Sequence, residues 1–312
     1  FFFKQKTAYE IYRCDWSSDV CSSDLTLGSG YALLRALQKM GKKAKLICDD
    51  PIPTKYEYLY NDIEVQEFDE KYIIAVDVAT ENLLGGLQNT YGGKVDLCID
   101  HHGTNTNYAK YLLLNADAAA NCEIILKVIK ALGVDIDKNM ADCLYTGITT
   151  DTGCFKYSSA TSNTYRSAAE LIDLGADNGY INRVMFETKT KKFAALERLA
   201  IEGMQFFLDE RVCILTVTNE MYKKTGTTEL DTEALPPLTR QIEGVEIGLT
   251  IREKADGTCK CSIRTYESVN AAELAAAFGG GGHKQAAACR FDCDVKTATK
   301  RLVEKSKELL HI

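Results

Sequence analysis

A chain of 312 residues, 46% hydrophobic and 26% charged, can bury one large core or two medium ones, and two domains is the expected division. Its formal charge of −7 excludes a broad basic surface that tracks long DNA or RNA, because sequence-independent affinity comes from neutralising many phosphates. Short or small phosphorylated substrates need only a local basic pocket and stay open. The 12 cysteines are scattered without a C-x-x-C pair and are expected as small buried hydrophobes in a reducing compartment. No run approaches the roughly 18 apolar residues of a membrane span, so a cytoplasmic protein is expected.

Residues 1–25 carry the only Trp, open on three consecutive Phe, and show neither helical nor strand periodicity continuous with the segment after Thr26. Lys4, Lys6, Arg13 and Asp15 interrupt any apolar core of a signal peptide. The stretch from Cys14 to Leu25 resembles translated sequencing-adapter sequence. Residues 1–25 are therefore expected to be a non-native artefact, packed loosely and adding nothing to the fold.

From Thr26 the pattern becomes regular. Leu33, Leu34, Leu37 and Met40 share one helical face, Gly41 stops that helix, and Ala44 to Cys48 reads as a strand. Tyr72 to Asp77 and Val95 to Asp100 are short apolar runs that each end in an acid, as buried parallel strands do in an α/β domain. Helices are expected over Asn121–Leu132, Met140–Thr149 and Ser162–Leu174, the last closed by Gly175, and a connecting helix from about Lys191 to Gln205. Then the pattern changes. Ile247, Leu249 and Ile251 alternate with polar residues, Asp256-Gly257 supplies a tight turn, and Cys259, Cys261 and Ile263 resume the alternation of a β-hairpin. A second domain thus begins near Phe206 and ends on an amphipathic helix from about Lys296 to Leu310.

The strongest chemical signal is Asp100-His101-His102-Gly103-Thr104-Asn105, directly after an apolar strand, where ligands of open α/β sheets gather. Asp77 ends a neighbouring strand, and Asp151 comes directly after Gly147-Ile148-Thr149-Thr150. Carboxylates and imidazoles on converging strand ends form a mixed O/N ligand set suited to Mn²⁺ or Mg²⁺ more than to structural zinc. In the second domain, Gly279 to Gly282 precede His283. Consecutive glycines let backbone N–H groups approach an anion closely, and a helix after them would add its positive N-terminus. His283 and Arg264 are placed to pair with a phosphate or a nucleotide edge.

These motifs resemble the DHH family of metal-dependent phosphoesterases. Asp100-His101-His102-Gly103-Thr104-Asn105 is similar to its naming motif, Ala75-Val76-Asp77 to its acidic strand, and Gly147 to Gly153 to its fourth motif. The glycine run with His283, and Ser262-Ile263-Arg264-Thr265, resemble the C-terminal DHH-associated domain, so the likeness runs from Thr26 to the C-terminus. It implies a mainly parallel-sheet DHH domain over 26–190, a linker helix over 191–205, and a smaller α/β DHH-associated domain over 206–312 that binds substrate.

The resemblance further implies two Mn²⁺ per site, with Mg²⁺ as an alternative. Asp77 would bridge the ions, and His101 and Asp151 would complete one shell. His102 would orient phosphate or assist proton transfer, and Asp100 would hold the histidine pair. Asn105, Arg264, Gly280, Gly281, Gly282 and His283 would bind substrate. The compact arrangement is most similar to the family's bifunctional oligoribonucleases and 3′-phosphoadenosine 5′-phosphate (pAp) phosphatases. Expected partners are short RNA or DNA oligonucleotides or a nucleoside bisphosphate, with no membrane, and a homodimer is compatible. A cyclic or linear dinucleotide phosphodiesterase of the same family is the alternative activity, and a non-catalytic nucleotide-binding protein the alternative of another class. The departure lies at the start. The family's first motif, His-x-x-Pro-Asp-Gly-Asp before x-Leu-Gly-Ser, would place its histidine on Asp19 and its acids on Ser23 and Leu25. Asp24 stands where the middle glycine would be. None of the three positions supplies the family ligand, so half a metal site is expected.

Overall fold

A computed structural model of the chain describes residues 9–12, 23–48, 52–232, 234–266 and 268–312, without the side chains of 9–12, 23–25, Leu230 and His283. Two compact units emerge, one reaching Thr188 and the other running from Lys189 to Ile312.

In the first unit, β1 (Tyr9–Tyr12), α1 (Ser23–Lys39), β2 (Ala44–Ile47), β3 (Tyr72–Val76), α2 (Gln88–Tyr91), β4 (Leu97–Asp100) and β5 (Tyr111–Leu114) succeed one another. Helices come next: α3 (Asn121–Ala131), α4 (Lys138–Asp151), α5 (Ser162–Asp173) and α6 (Asn178–Asn182), with the π-turn Arg183–Glu187 closing the unit. The strands form one sheet in the order β2-β1-β3-β4-β5, and every pairing is parallel. Both faces are covered, which explains why β3 and β4 read as unbroken apolar runs. Ile74, Val76 and Ile99 enter the core shared with Leu27, Leu34, Ile125 and Leu144 of the helices, while Ile73, Ala75 and Cys98 enter a second core with Leu84 and Val95.

Among the described residues of the 1–25 segment, and against the expectation that it adds nothing to the fold, Tyr9–Tyr12 pairs with both β2 and β3 at the sheet's interior, and α1 begins at Ser23, ahead of Thr26. Tyr-Glu-Ile-Tyr is rich in aromatic and β-branched side chains, and four residues are too few for periodicity to register. The loose packing expected of the rest of that segment, and the identity of residues 13–22, lie outside the described residues.

Gly28 fixes how α1 meets α4. A Cβ there would stand 2.4 Å from the Cys143 carbonyl oxygen and 2.8 Å from the Gly147 nitrogen, so the two backbones touch where the Leu-Gly-Ser and Gly-Ile-Thr-Thr-Asp motifs cross. A methyl group would wedge the helices apart and carry Asp151 with them.

The second unit contains α7 (Lys191–Glu202), β6 (Gln205–Phe207), β7 (Val212–Val217), α8 (Asn219–Thr225), α9 (Pro236–Arg240), β8 (Ile247–Glu253), β9 (Cys259–Thr265), α10 (Ala271–Ala276), β10 (Gly281–His283), β11 (Ala286–Phe291) and α11 (Val295–Leu309). Its sheet runs β10-β11-β9-β8-β7-β6, antiparallel except for β7–β8. Cys259, Cys261 and Ile263 face a core closed by Leu274 of α10 and Leu302 of α11. Phe193, Leu196 and Ala200 of α7 pack with Leu215, Val217 and Leu235, so this helix is part of the second unit.

The residues after the glycine run form a strand, where a helix was expected to add its positive end. Gly281, Gly282 and His283 pair antiparallel with Ala288, Ala287 and Ala286. The helix propensity of alanine yields to tertiary pairing, because β11 is held between β9 and β10 with Ala287, Cys289 and Phe291 turned into the core. Gly282 has φ 147°, and a Cβ on Gly280 would come within 2.1 Å of the Ala288 carbonyl oxygen, so the glycines serve close strand packing.

Candidate metal centre

Parallel strands β3 and β4 bring Asp77 and Asp100 to adjacent carboxyl ends. Asp77 lies one residue past β3 in the left-handed region, φ 63°, with its N–H donating to the Ile99 carbonyl at 2.8 Å. A non-glycine residue in that conformation is strained, and such strain persists where the surroundings over-determine it, commonly at functional sites. Thr26, at the start of α1, donates its hydroxyl to Asp77 Oδ2 at 3.4 Å.

Asp100 is wholly buried and organises the loop after it. Its Oδ1 accepts from the backbone N–H groups of His101 (2.8 Å) and His102 (3.2 Å) and from the His102 ring Nδ1 (2.7 Å); its Oδ2 accepts from Asn105 Nδ2 at 2.6 Å. Asn105 also donates to the Val78 carbonyl and accepts from Asn107 N–H, so its amide is engaged within the loop. His101 Nδ1 lies 3.0 Å from the Ala118 carbonyl, which can only accept; the proton therefore sits on Nδ1 and Nε2 carries a lone pair. That Nε2 stands 3.4 Å from Asp77 Oδ1. Two acceptors turned toward each other need a proton or a cation between them.

Asp77 Oδ1, His101 Nε2 and Asp151 Oδ2 are all buried without a hydrogen-bond partner. Each is a lone-pair donor of the kind a divalent cation accepts, although Asp151 is not one of the residues whose ligand atoms cluster. Asp77, His101 and His102 hold ligand atoms within 4.8 Å of one another, which brings His102 nearer the ligand set than a purely phosphate-orienting residue would be. Asp151 is the last residue of α4, on a helix end and not on a strand end as expected. A carboxylate there meets the negative end of the helix dipole, an unfavourable placement that a bound cation offsets.

The electrostatics agree. Burial, with the charge of Asp77, pushes the Asp151 carboxyl up to about 7, against the pull of His101 and His102. Burial disfavours the charged imidazole of His102, but the hydrogen bond it donates to Asp100 and the charges of Asp77, Asp100 and Asp151 carry its pKa up to about 9. His101 is likewise raised against its own burial, by Asp151 first and then Asp77. Burial would raise Asp100, yet the His102 hydrogen bond and charge, with that of Asn105, hold it below the usual carboxylate range.

These shifts make the centre pH-dependent. Raised folded pKa values favour the protonated forms, so the stability that His102 contributes is full below its unfolded value of about 6.5 and is lost as pH rises through about 9; Asp151 acts in the same direction as pH rises toward about 7. A cation needs the deprotonated forms. The Tm of the metal-free protein should fall between pH 6 and 9, and the rise in Tm caused by Mn²⁺ should grow over the same interval. Differential scanning fluorimetry with EDTA or MnCl₂ reads both slopes; a metal effect that shrinks as pH rises would contradict the ligand assignment.

The remaining expected site residues belong to the second unit. Arg264 on β9 is largely buried, with Nη1 donating to the Ile263 carbonyl at 3.0 Å. Register places it in one cross-strand row with Gly248 on one side and Ala286 then His283 on the other, and Thr239 packs over Gly248. Gly281 and Gly282 lie on β10 and Gly280 just before it. The His283 side chain lies outside the described residues. Sequence reasoning missed Thr26 and the Ala118 carbonyl, whose contacts with Asp77 and His101 come from residues distant in the chain.

Comparison with known proteins places both units in one family. The DHH family N-terminal domain matches residues 26–148, and the DHHA1 domain matches residues 209–311. The bifunctional oligoribonuclease and PAP phosphatase of Thermus thermophilus is 29% identical over 291 residues, covering 91% of this chain and 86% of that protein. Its counterpart in Bacillus subtilis is 23% identical, covering 72% of each. Among solved structures, an exopolyphosphatase-related protein from Bacteroides fragilis superposes with a TM-score of 0.90 at 22% identity, covering 100% of this chain and 96% of the other. RecJ of Thermus thermophilus, solved in complex with Mn²⁺, gives 0.55 at 15% identity, covering 99% of this chain and 53% of the other. Both superpositions speak for the fold.

Proposed function

The chain belongs to the DHH family, and on that premise we propose that it is built as a phosphoric ester hydrolase for short oligoribonucleotides, pAp, or both, with Mn²⁺ as its metal, its activity impaired by the departure at the first motif. The observation that carries this reading is the set of three buried acceptors without partners, Asp77 Oδ1, His101 Nε2 and Asp151 Oδ2, on the family's own motifs. Divalent ions held at such a centre would supply a hydroxide near neutral pH and stabilise the attacking and leaving oxygens of an in-line displacement. Asp77, His101 and Asp151 would hold metal, with Asp77 shared. Asp100 fixes the histidine pair by accepting from His102 Nδ1 and from both backbone N–H groups. His102, charged when metal is absent, would offer its proton toward a phosphate oxygen. Among the described residues no helix is long and apolar enough to cross a membrane, and a cytoplasmic location is part of the proposal. The exposed Tyr111, Leu113 and Leu114 on edge strand β5 support a homodimer.

Arg264 would grip substrate phosphate or a nucleotide edge, together with the backbone of Gly280 to Gly282 and with His283. Loss of a charge-assisted contact costs about 1.5–3 kcal/mol, so Arg264→Ala should weaken binding of a short oligonucleotide roughly tenfold or more while Mn²⁺ affinity stays unchanged. Fluorescence anisotropy with a labelled trinucleotide, in Mn²⁺ and in EDTA, tests both the grip and its metal dependence. Unchanged affinity in the variant would remove Arg264 from the site.

A further inference from the structure

Asn121 opens α3 and is wholly buried, and neither its Oδ1 nor its Nδ2 has a hydrogen-bond partner among the described residues. A buried amide left in that state costs about 1–3 kcal/mol, so it calls for a ligand from outside the chain. Its surroundings indicate which. The Asn121 backbone N–H lies close enough to the Asp151 carboxylate to lower its pKa, the next residue, Cys122, feels the charges of Asp151 and Asp77, and the Ala118 carbonyl just upstream accepts from His101. The segment 118–122 is thus built against the metal centre at three points.

The unpartnered atoms of that neighbourhood fall into two chemical kinds. Asp77 Oδ1, His101 Nε2 and Asp151 Oδ2 offer lone pairs, which a cation satisfies. Asn121 Nδ2 offers hydrogens, which no cation can take up; it requires an acceptor oxygen. An 11-residue helix begins here, and the positive end of its dipole favours an anionic oxygen over a neutral one. We propose that the Asn121 amide is a substrate-binding group of this centre, its Nδ2 donating to a phosphoryl oxygen held beside the metal. The proposal rests on the phosphoesterase reading above and adds to it a contact made from the DHH domain itself. The Asn121 Oδ1 remains free to accept from a water in the same site.

The test separates this contact from the metal centre. The probe is inorganic phosphate, titrated calorimetrically into the Mn²⁺-loaded full chain. Asn121→Leu removes both polar atoms at similar volume, and Asn121→Ala is the smaller second variant should leucine fail to fit. Either variant is expected to bind Mn²⁺ within about threefold of the parent and to keep or raise the Tm of the metal-free protein, because an unsatisfied buried amide has gone. Phosphate affinity should fall about tenfold or more. A folded variant that binds phosphate as the parent does, or one whose metal-free Tm drops with phosphate affinity unchanged, overturns the proposal and leaves the metal centre standing. A parent chain that takes up Mn²⁺ but no phosphate overturns the proposal too. If the parent takes up no Mn²⁺, the phosphoesterase reading fails and this contact with it.

Discussion

Asp77→Asn is expected to abolish Mn²⁺ binding and any hydrolysis that depends on it. Asp77 faces His101 Nε2 at 3.4 Å and His102 Nδ1 at 3.6 Å, so its carboxylate is the hub of the ligand set. Loss of an outer-shell partner typically costs about 10–100-fold in metal affinity, and removal of the shared carboxylate should exceed that range. Asparagine is the informative replacement because it keeps the volume and tolerates the left-handed backbone at φ 63°, whereas alanine there adds roughly 1–2 kcal/mol of strain unrelated to metal. The metal-free variant should be no less stable than its parent, since one negative charge beside Asp151 has been removed. Isothermal calorimetry for Mn²⁺, read beside Tm in EDTA, distinguishes the two effects. Retained Mn²⁺ affinity in a folded Asp77→Asn protein would show that the centre lies elsewhere.

Asp77 and Asp100 stand out in the sequence because buried parallel strands announce themselves as apolar runs and each of these two runs ends in a carboxylate. That logic located Asp77 and Asp100 and the His101-His102 pair after them. It placed Asp151 on a strand end, although Asp151 closes helix α4, because the helix was expected to stop at Thr149. What brings Asp151 in is a helix crossing, the Gly28–Gly147 approach, which is set by two backbones far apart in sequence. The Ala118 carbonyl that fixes the His101 tautomer and the buried Asn121 amide were invisible for the same reason: each acquires its role from a neighbour more than ten residues away. In the second unit the alanines of 286–288 argued for helix by propensity, and only the pairing of β11 between β9 and β10 decides for strand. Tyr9–Tyr12 failed in the opposite direction, a strand too short to show its period and embedded in foreign-looking sequence.

Restoring a family-type first motif, by Asp19→His, Ser23→Asp and Leu25→Asp, should turn an inert or feeble protein into a manganese-dependent phosphoesterase. The structure explains why those positions matter. Helix α1 begins at Ser23, and three residues later Thr26 reaches Asp77 Oδ2, so the start of this helix abuts the hub of the metal centre. Position 19 lies outside the described residues. Asp77, Asp151 and a neutral His101 suffice for one divalent ion, but a second needs further carboxylates to offset repulsion between the cations. With one ion, activation of the water and stabilisation of the leaving oxygen are not both available. The chain as it stands should therefore bind about one Mn²⁺ weakly, and the restored chain about two, with hydrolysis of di- to pentanucleotides only in the latter. Asp77→Ala in the restored protein should remove that activity, since it takes away the ligand common to both ions. Metal stoichiometry, measured beside release of mononucleotides with added Mn²⁺, decides the matter. Full turnover by the unaltered chain, equal to that of the restored one, would show that the first motif is dispensable and that the two-ion centre has been assigned to the wrong residues.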